Sequence, residues 1–191
     1  MLRVMAGEPD DRDLMLRYRN GDGAAFQQLY ERHKGPLYRY FLRQTPDQQT
    51  AADLFQEAWT KIIAARRRYE PSARFNTYMY QVAHNCLVDH WRKLGRTPAA
   101  DAALRDDPEQ TRGTANTEAA VEQAQRTERF GPALESLPEA QRSAFLLHEE
   151  GGLTLAEIAF VTGAPEETVK SRLRYALKRL RAVLTDGEDS G

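Results

Sequence analysis

The segment from Thr154 to Arg181, TLAEIAFVTGAPEETVKSRLRYALKRLR, constrains the chain most. Thr154 and Glu157 have the spacing of a capping box, in which each side chain satisfies an orphan amide at a helix start. Leu155, Ile158, Ala159 and Val161 then give one buried helical face. Gly163 suits a tight turn, and Pro165 opens a second helix, where its missing donor costs nothing. In that helix Val169, Leu173, Ala176, Leu177 and Leu180 form the inward stripe. The outward side carries Lys170, Arg172, Arg174, Lys178, Arg179 and Arg181, with no acid between Thr168 and Arg181. A capped helix, a glycine turn and a basic second helix are what a helix-turn-helix needs to enter a DNA major groove. A solvated amphipathic helix ending in dipole-favoured bases is the simpler alternative. It leaves the cap, the glycine and the proline unexplained.

The rest of the chain reads as helix throughout, with no convincing strand. Its 191 residues, 41% hydrophobic and 29% charged, suffice for one large domain or two small ones. A first helix is expected over Arg12 to Tyr18, ending at Asn20-Gly21-Asp22-Gly23. A second runs from Ala24 to about Gln44, with Phe26, Leu29, Tyr30, Leu37, Tyr40 and Phe41 inward. Pro36 inside it predicts a kink or a restart. A third spans about Gln48 to Arg68, with Leu54, Ala58, Ile62 and Ala65 on one face. A fourth spans about Asn76 to Leu94, with Val82, Leu87 and Trp91 apolar. Gly95 to about Asn116 has no apolar stripe and reads as a linker. Helix returns from about Thr117 to Ser136, and Pro138 opens the next one.

Charge is segregated although the net charge is only −1. Lys61 to Arg96 is basic, Asp101 to Glu128 is acidic on balance, and the helix after Thr168 is basic again. Two basic patches separated by an acidic stretch predict two nucleic-acid surfaces. In the first, Phe75, Tyr78, Tyr80 and Trp91 are interleaved with Arg74, Asn76, Arg92 and Lys93. Aromatics among bases suit stacking on unpaired bases while the backbone is held, although about half of such rings are expected in the core. Arg66-Arg67-Arg68 is equally readable as a dipole-favoured helix end.

Other chemistries fit poorly. Of His84, Cys86 and His90, only Cys86 and His90 share a helical face, and no fourth ligand is near, so no metal is expected. Asp53 and Glu57 lie one turn apart, but no nucleophile, phosphate loop or His partner accompanies them. They read as an acidic docking face rather than an acid/base pair. No catalytic residue and no cofactor are expected. The single cysteine excludes an internal disulfide. No apolar run approaches the roughly 20 residues of a membrane span. The start, MLRVMAGEPDD, lacks a signal-peptide core. These features predict a cytoplasmic protein with no membrane insertion.

Several blocks, in order, give the chain a resemblance. Asn20-Gly21-Asp22, Ala25-Phe26, Leu29-Tyr30 and Arg32 look like the opening helix of the extracytoplasmic-function (ECF) class of bacterial sigma-70 family RNA polymerase sigma factors. Asp53-Leu54-Phe55-Gln56-Glu57-Ala58-Trp59 resembles that family's D-L-x-Q-E-x-aromatic motif. FNTYMYQVAHN at Phe75 to Asn85 resembles its F-x-x-W-L-x-x-I-A-x-N block, and Leu87 to Lys93 continues it. LESLPEAQR, Leu134 to Arg142, is similar to the start of its second domain. Glu157-Ile158-Ala159, Gly163 and Thr168 to Leu173 complete its helix-turn-helix. Tyr78 and Met79 stand where the block usually has Trp and Leu. Ile63 stands where a Trp often ends the docking helix, and His148-Glu149-Glu150 where an aromatic is commoner.

The resemblance implies an all-α, two-domain factor. Its parts would be an N-terminal tail at 1–11, region 2 at 12–94, an acidic linker at 95–126, region 4 at 127–184, and a disordered tail at 185–191. It implies that Asp53, Leu54, Gln56, Glu57 and Trp59 dock on the clamp helices of the polymerase β′ subunit. Region 4 would meet the β flap. Arg68, Arg74, Phe75, Asn76, Thr77, Tyr78, Tyr80, Asn85, Asp89, Arg92 and Lys93 would open and read the promoter −10 element. The loop from Arg68 to Arg74 would hold a flipped base. Thr168, Lys170, Ser171, Arg172, Arg174 and Lys178 would read the −35 element as duplex. The resemblance also implies an anti-sigma factor, membrane-bound, that masks both DNA surfaces. The rival reading is a conventional helix-turn-helix regulator that binds duplex DNA with residues 1–94 as a sensing or dimerisation domain. Such a regulator would not need the basic-aromatic stretch from Arg66 to Lys93.

Overall fold

The computed structural model describes residues 9–95 and 130–185, and among these there are helices and no strand. The first domain holds α1 (Asp11–Arg19), α2 (Gly23–Leu42), α3 (Gln48–Ala65) and α4 (Phe75–Lys93). Each helix packs on its successor, and α4 returns to α1. Local chemistry sets the starts. The Asp22 carboxylate accepts from the Ala24 and Ala25 amides at 3.0 and 3.2 Å, capping α2. Asp47 does the same for α3, accepting from the Thr50 amide at 2.8 Å.

Two expectations change in detail. Helix α2 does not restart at Pro36 but runs unbroken from Gly23 to Leu42. A proline inside a helix costs about 3 kcal/mol, yet Leu29 lies fully buried before it, and Leu37, Tyr40 and Phe41 after it. Core burial on both sides of the proline outweighs the lost backbone bond. The third helix stops at Ala65, and Arg66–Arg68 tighten into a 3₁₀ turn. Such tightening at a helix end is common, and it leads the chain into Tyr69, Glu70 and Pro71.

The second domain holds α5 (Glu139–Glu149), α6 (Leu155–Thr162) and α7 (Glu166–Thr185), preceded by helical residues at 130–135. Both arms of the capping box form: Thr154 Oγ1 accepts from the Glu157 amide, and Glu157 accepts from the Thr154 amide at 2.9 Å. Gly163 ends α6 at φ +67°, the left-handed conformation that a β-carbon disfavours. Ile158, Val161, Val169, Ala176 and Leu180 are buried, as their spacing predicts. The expected linker and the start of the helix from Thr117 fall on 96–129, and the tail on 186–191, outside the described residues.

The first domain is centred on rings. Trp59 stacks among Phe26, Tyr30 and Phe55, with centroids at 5.7, 5.1 and 6.4 Å. It is 4% exposed, so it holds the domain together from inside. Trp59→Ala is expected to cost about 3–5 kcal/mol of stability, measured by urea unfolding, whereas a change at exposed Gln56 should leave the midpoint unmoved.

Candidate polymerase and nucleic-acid interfaces

The sequence-predicted docking residues divide by burial. Asp53 and Gln56 are exposed on α3, and Glu57 is half-exposed, paired with Lys61 at 2.8 Å one turn on. Ile63 continues that face and is itself exposed, an apolar group beside the acids. Leu54 and Trp59 do not share the surface, because both are in the core. Helix α3 therefore offers an acidic and polar face held rigid by an aromatic layer beneath it.

The −10 candidates cluster at the loop after the 3₁₀ turn and along α4. Arg68 and Arg74 are exposed. Phe75, Tyr80 and Trp91 are buried and Tyr78 is half-buried, so more of the four interleaved rings are core than the half expected. Phe75 packs against His33, Tyr69 and Tyr78. His33 is itself fixed by Asp11 at 2.7 Å, so α1 supports the loop from behind. Tyr69 and Tyr78, at 5.2 Å, line a cavity of about 270 Å³ with Ala65, Arg68, Glu70 and Ser72. The Tyr69 hydroxyl is buried with no hydrogen-bond partner among the described residues. Tyr69, which the sequence places in the Arg68 to Arg74 loop without a role of its own, forms a cavity wall. Farther along α4, Asn85 and Lys93 are exposed, and Arg92 is paired with Asp89 at 2.8 Å.

Three further candidates face the second domain. The Asn76 amide donates to the Gly151 carbonyl. Thr77 Oγ1 donates to Glu157 at 2.7 Å, and the Tyr80 hydroxyl to the Glu150 carbonyl at 3.1 Å. Burial pushes the Glu157 carboxyl up. Hydrogen bonds from the Thr154 amide and from the Thr77 and Thr154 hydroxyls, with the charge of Arg74, outweigh it and hold the pKa below its ordinary value.

On α7, Lys170, Arg174 and Lys178 are exposed, while Thr168, Ser171 and Arg172 are half-buried. Lys170 lies 3.7 Å from Glu167, and the Arg174 guanidinium stacks on the neighbouring Tyr175 ring. Short polar groups beside guanidinium groups on one helical face suit base edges, and the later lysine suits phosphate. Among the described residues no group of three or more His, Cys, Asp or Glu side chains could hold a metal. No described helix is long and apolar enough to cross a membrane.

Comparisons with known proteins agree with this architecture. The Sigma-70 region 2 family matches residues 29–97, and Sigma-70, region 4 matches residues 128–180. The ECF RNA polymerase sigma factor RpoE of Cereibacter sphaeroides is 32% identical, over 84% of this chain and 86% of its own. The RNA polymerase sigma-H factor of Pseudomonas aeruginosa is 29% identical over 94% and 96%. The solved structure of CnrH with the cytosolic domain of CnrY has a TM-score of 0.67 at 22% identity, over 92% of this chain and 97% of that one. That of sigma factor RpoE with the anti-sigma factor NepR from Bartonella quintana has 0.64 at 22%, over 84% and 96%. The chain belongs to the ECF class of sigma-70 family RNA polymerase sigma factors. Its function is that of a sigma factor, a family of transcription initiation factors rather than enzymes.

One titratable group sits where the domains meet. His84 on α4 is buried, with the Tyr40 hydroxyl 3.4 Å from Nδ1. Burial, and after it the charge of Arg172, lowers its pKa from 6.5 to about 4. Above pH 6.5 the folded and unfolded chains both carry it neutral. Below 6.5 the unfolded chain takes up a proton that the folded chain refuses until about pH 4, so stability falls across that window. The loss should total roughly 3 kcal/mol. Urea unfolding from pH 7 to pH 4 should show a shallower decline for His84→Gln than for the unaltered chain.

Proposed function

We propose that the chain brings core RNA polymerase to its promoters through three surfaces, one on each of α3, α4 and α7. Region 2 would occupy 12–94 and region 4 127–184, with the linker at 95–126 between them. The acidic face of α3, Asp53, Gln56 and Glu57, docks on the clamp helices of the β′ subunit, with Leu54 and Trp59 supporting it from the core. Its exposed acids beside exposed Ile63 support a basic, partly apolar partner. Region 4 meets the β flap.

The loop from Arg68 to Arg74 and the start of α4 read the opened −10 element. The single observation that carries this is the cavity between Tyr69 and Tyr78, rimmed by Arg68. Its size suits one base, its walls suit stacking, and its rim suits the adjoining phosphate. Stacking of about 1–3 kcal/mol per base offsets the cost of unstacking it from the duplex. Asn76, Thr77 and Tyr80 add donors, and Asn85, Asp89, Arg92 and Lys93 extend the track along α4. Thr168, Lys170, Ser171, Arg172, Arg174 and Lys178 on α7 read the −35 element as duplex. The place of action is the cytoplasm, where polymerase meets DNA. An anti-sigma partner is supported by RpoE, whose solved structure holds NepR.

Purified chain added to core polymerase should yield discrete transcripts, whose mapped starts define the promoter; none appearing from any genomic template would refute the assignment. Glu57→Lys should weaken the affinity for core while circular dichroism stays unchanged. In the holoenzyme, Arg172→Ala should cost about 1–3 kcal/mol at the −35 element if the guanidinium makes a bidentate base contact, read as a flattened preference across −35 variants.

A further inference from the structure

Tyr69, a wall of the cavity assigned above to a flipped base, is placed by its backbone more than by its side chain. The residue is 3% exposed, yet its hydroxyl finds no partner among the described residues. A buried tyrosine is ordinarily anchored by its polar tip, and this one is not. Its ring meets Tyr78 at 5.2 Å and Phe75 at 6.5 Å, edge-on in both cases. Tyr78 is itself the half-buried wall of the same cavity. The angle at which Tyr69 faces a base therefore depends on what holds its main chain.

That main chain is pinned from α1. The Arg19 guanidinium donates to the Tyr69 carbonyl at 3.2 Å. One residue earlier, the Tyr18 hydroxyl accepts from Arg66 at 3.3 Å, and the Arg66 guanidinium lies over the Tyr18 ring at 5.3 Å. The 3₁₀ turn closes between these two points, with the Tyr69 amide donating to the Arg66 carbonyl at 3.3 Å. Two consecutive residues of α1 thus hold the first residue of the turn and the residue that ends it. Tyr18 is buried against Phe26, with ring centroids at 4.6 Å, and Arg19 is half-buried. The clamp also sorts the three arginines of the turn. Arg66 is drawn inward, while Arg67 and Arg68 stay exposed, Arg68 at the cavity rim. Tyr69 leaves the turn in an extended conformation, at ψ 121°. A shift at its carbonyl would therefore also carry along Glu70 and Ser72, which line the same cavity.

We propose that Arg19 is a positioning residue for −10 reading: by holding the Tyr69 carbonyl from behind, it fixes the ring as a stacking wall and so sets which base the cavity prefers. Arg19 acts through Tyr69 and makes no base contact of its own. The Tyr18–Arg66 pair steadies the other end of the turn. A site built on a loop is only as exact as the groups that support it. Without the Arg19 bond the wall is free to tilt, so the cavity still takes a base but discriminates less among bases. The inference rests on assigning base capture to the cavity between Tyr69 and Tyr78.

The test uses the full chain in holoenzyme, transcribing from promoters that carry each of the four bases at every −10 position. Tyr69→Leu keeps apolar bulk but has no ring face. Arg19→Ala removes the pin; Arg19 ends α1 and is half-buried, so alanine there spares the core. Arg19→Lys keeps a donor and the charge. Leu16→Ala loosens the packing of α1 without touching the turn. Tyr69→Leu should flatten the preference at one −10 position, which identifies the position that the cavity reads. Arg19→Ala should reduce the preference at that same position by about fivefold, within what the stacking of one base can supply. The other −10 positions and the −35 preference should stay as they were, and Arg19→Lys should recover most of the loss. Leu16→Ala should lower the urea midpoint and leave every preference unchanged. If it flattened the same position, Arg19 would be only one more stabilising contact of α1, and the proposal would fall. An equal loss for all −10 sequences in Arg19→Ala, with a shallower salt dependence, would mean a direct phosphate contact and overturn the positioning role. An unchanged preference in Arg19→Ala beside a flattened one in Tyr69→Leu would overturn it too, with the cavity assignment standing. No position flattened by Tyr69→Leu would remove the cavity assignment and the inference with it.

Discussion

Helix α4 buries too much of itself for a helix at the edge of one small domain. With 100° between successive residues, its buried positions from Phe75 through Trp91 cover an arc of about 200°. A surface helix needs an apolar stripe of little more than 100° to seat it on a core. Half of the arc, with Met79, Ala83 and Cys86, is apolar and faces the first domain's core. The other half holds Thr77, Tyr80 and His84 beside Leu87 and Trp91, and its polar groups need partners when buried. The second domain supplies partners for Thr77 and Tyr80 through Glu157 and the Glu150 carbonyl, and helix α6 packs along α4 to do it. The surroundings of the proposed −10 residues follow from this double burial.

What sequence could show divides along the same line. The starts and ends of α3, α4, α6 and α7 follow from local chemistry, and the helices begin and end close to where their signals stand. Asp47 caps α3, the Thr154–Glu157 box opens α6, and Gly163 closes it. The inward stripe of α7 was legible because 3.6-residue periodicity needs no knowledge of the partner. No restart occurs at Pro36 because its cost is local, while the burial that overrides it comes from residues on either side packing into the core. The α3 docking motif was legible as a block, but not its division into exposed acids and a buried tryptophan. That division depends on Phe26 and Tyr30, supplied by another helix.

The domain contact left little mark in the sequence. Glu150 and Gly151 look like an ordinary helix end, Arg39 like ordinary surface, and Asn76 and Thr77 like part of the −10 block. No periodicity links positions that lie about seventy to a hundred residues apart. The one trace was the departure at His148-Glu149-Glu150, where the family more often has an aromatic. Glu150 in that triplet is the residue clasped by the two arginines of α2.

The chemistry of the contact bears on how it can come apart. The Tyr80 ring lies against Gly151 and the Arg43 guanidinium over Phe130, and hydrogen bonds and ion pairs join the domains beside them. Each domain keeps apolar burial of its own, Trp59 with its rings in the first and Ile158, Val161 and Val169 in the second. Polar pairs bring little net stability, because water competes for the same groups, but they impose strict geometry. An apolar seam of equal area would hold the domains together permanently. A contact of one carboxylate, two guanidinium groups and a few shared hydrogen bonds instead sets the geometry in which the domains meet.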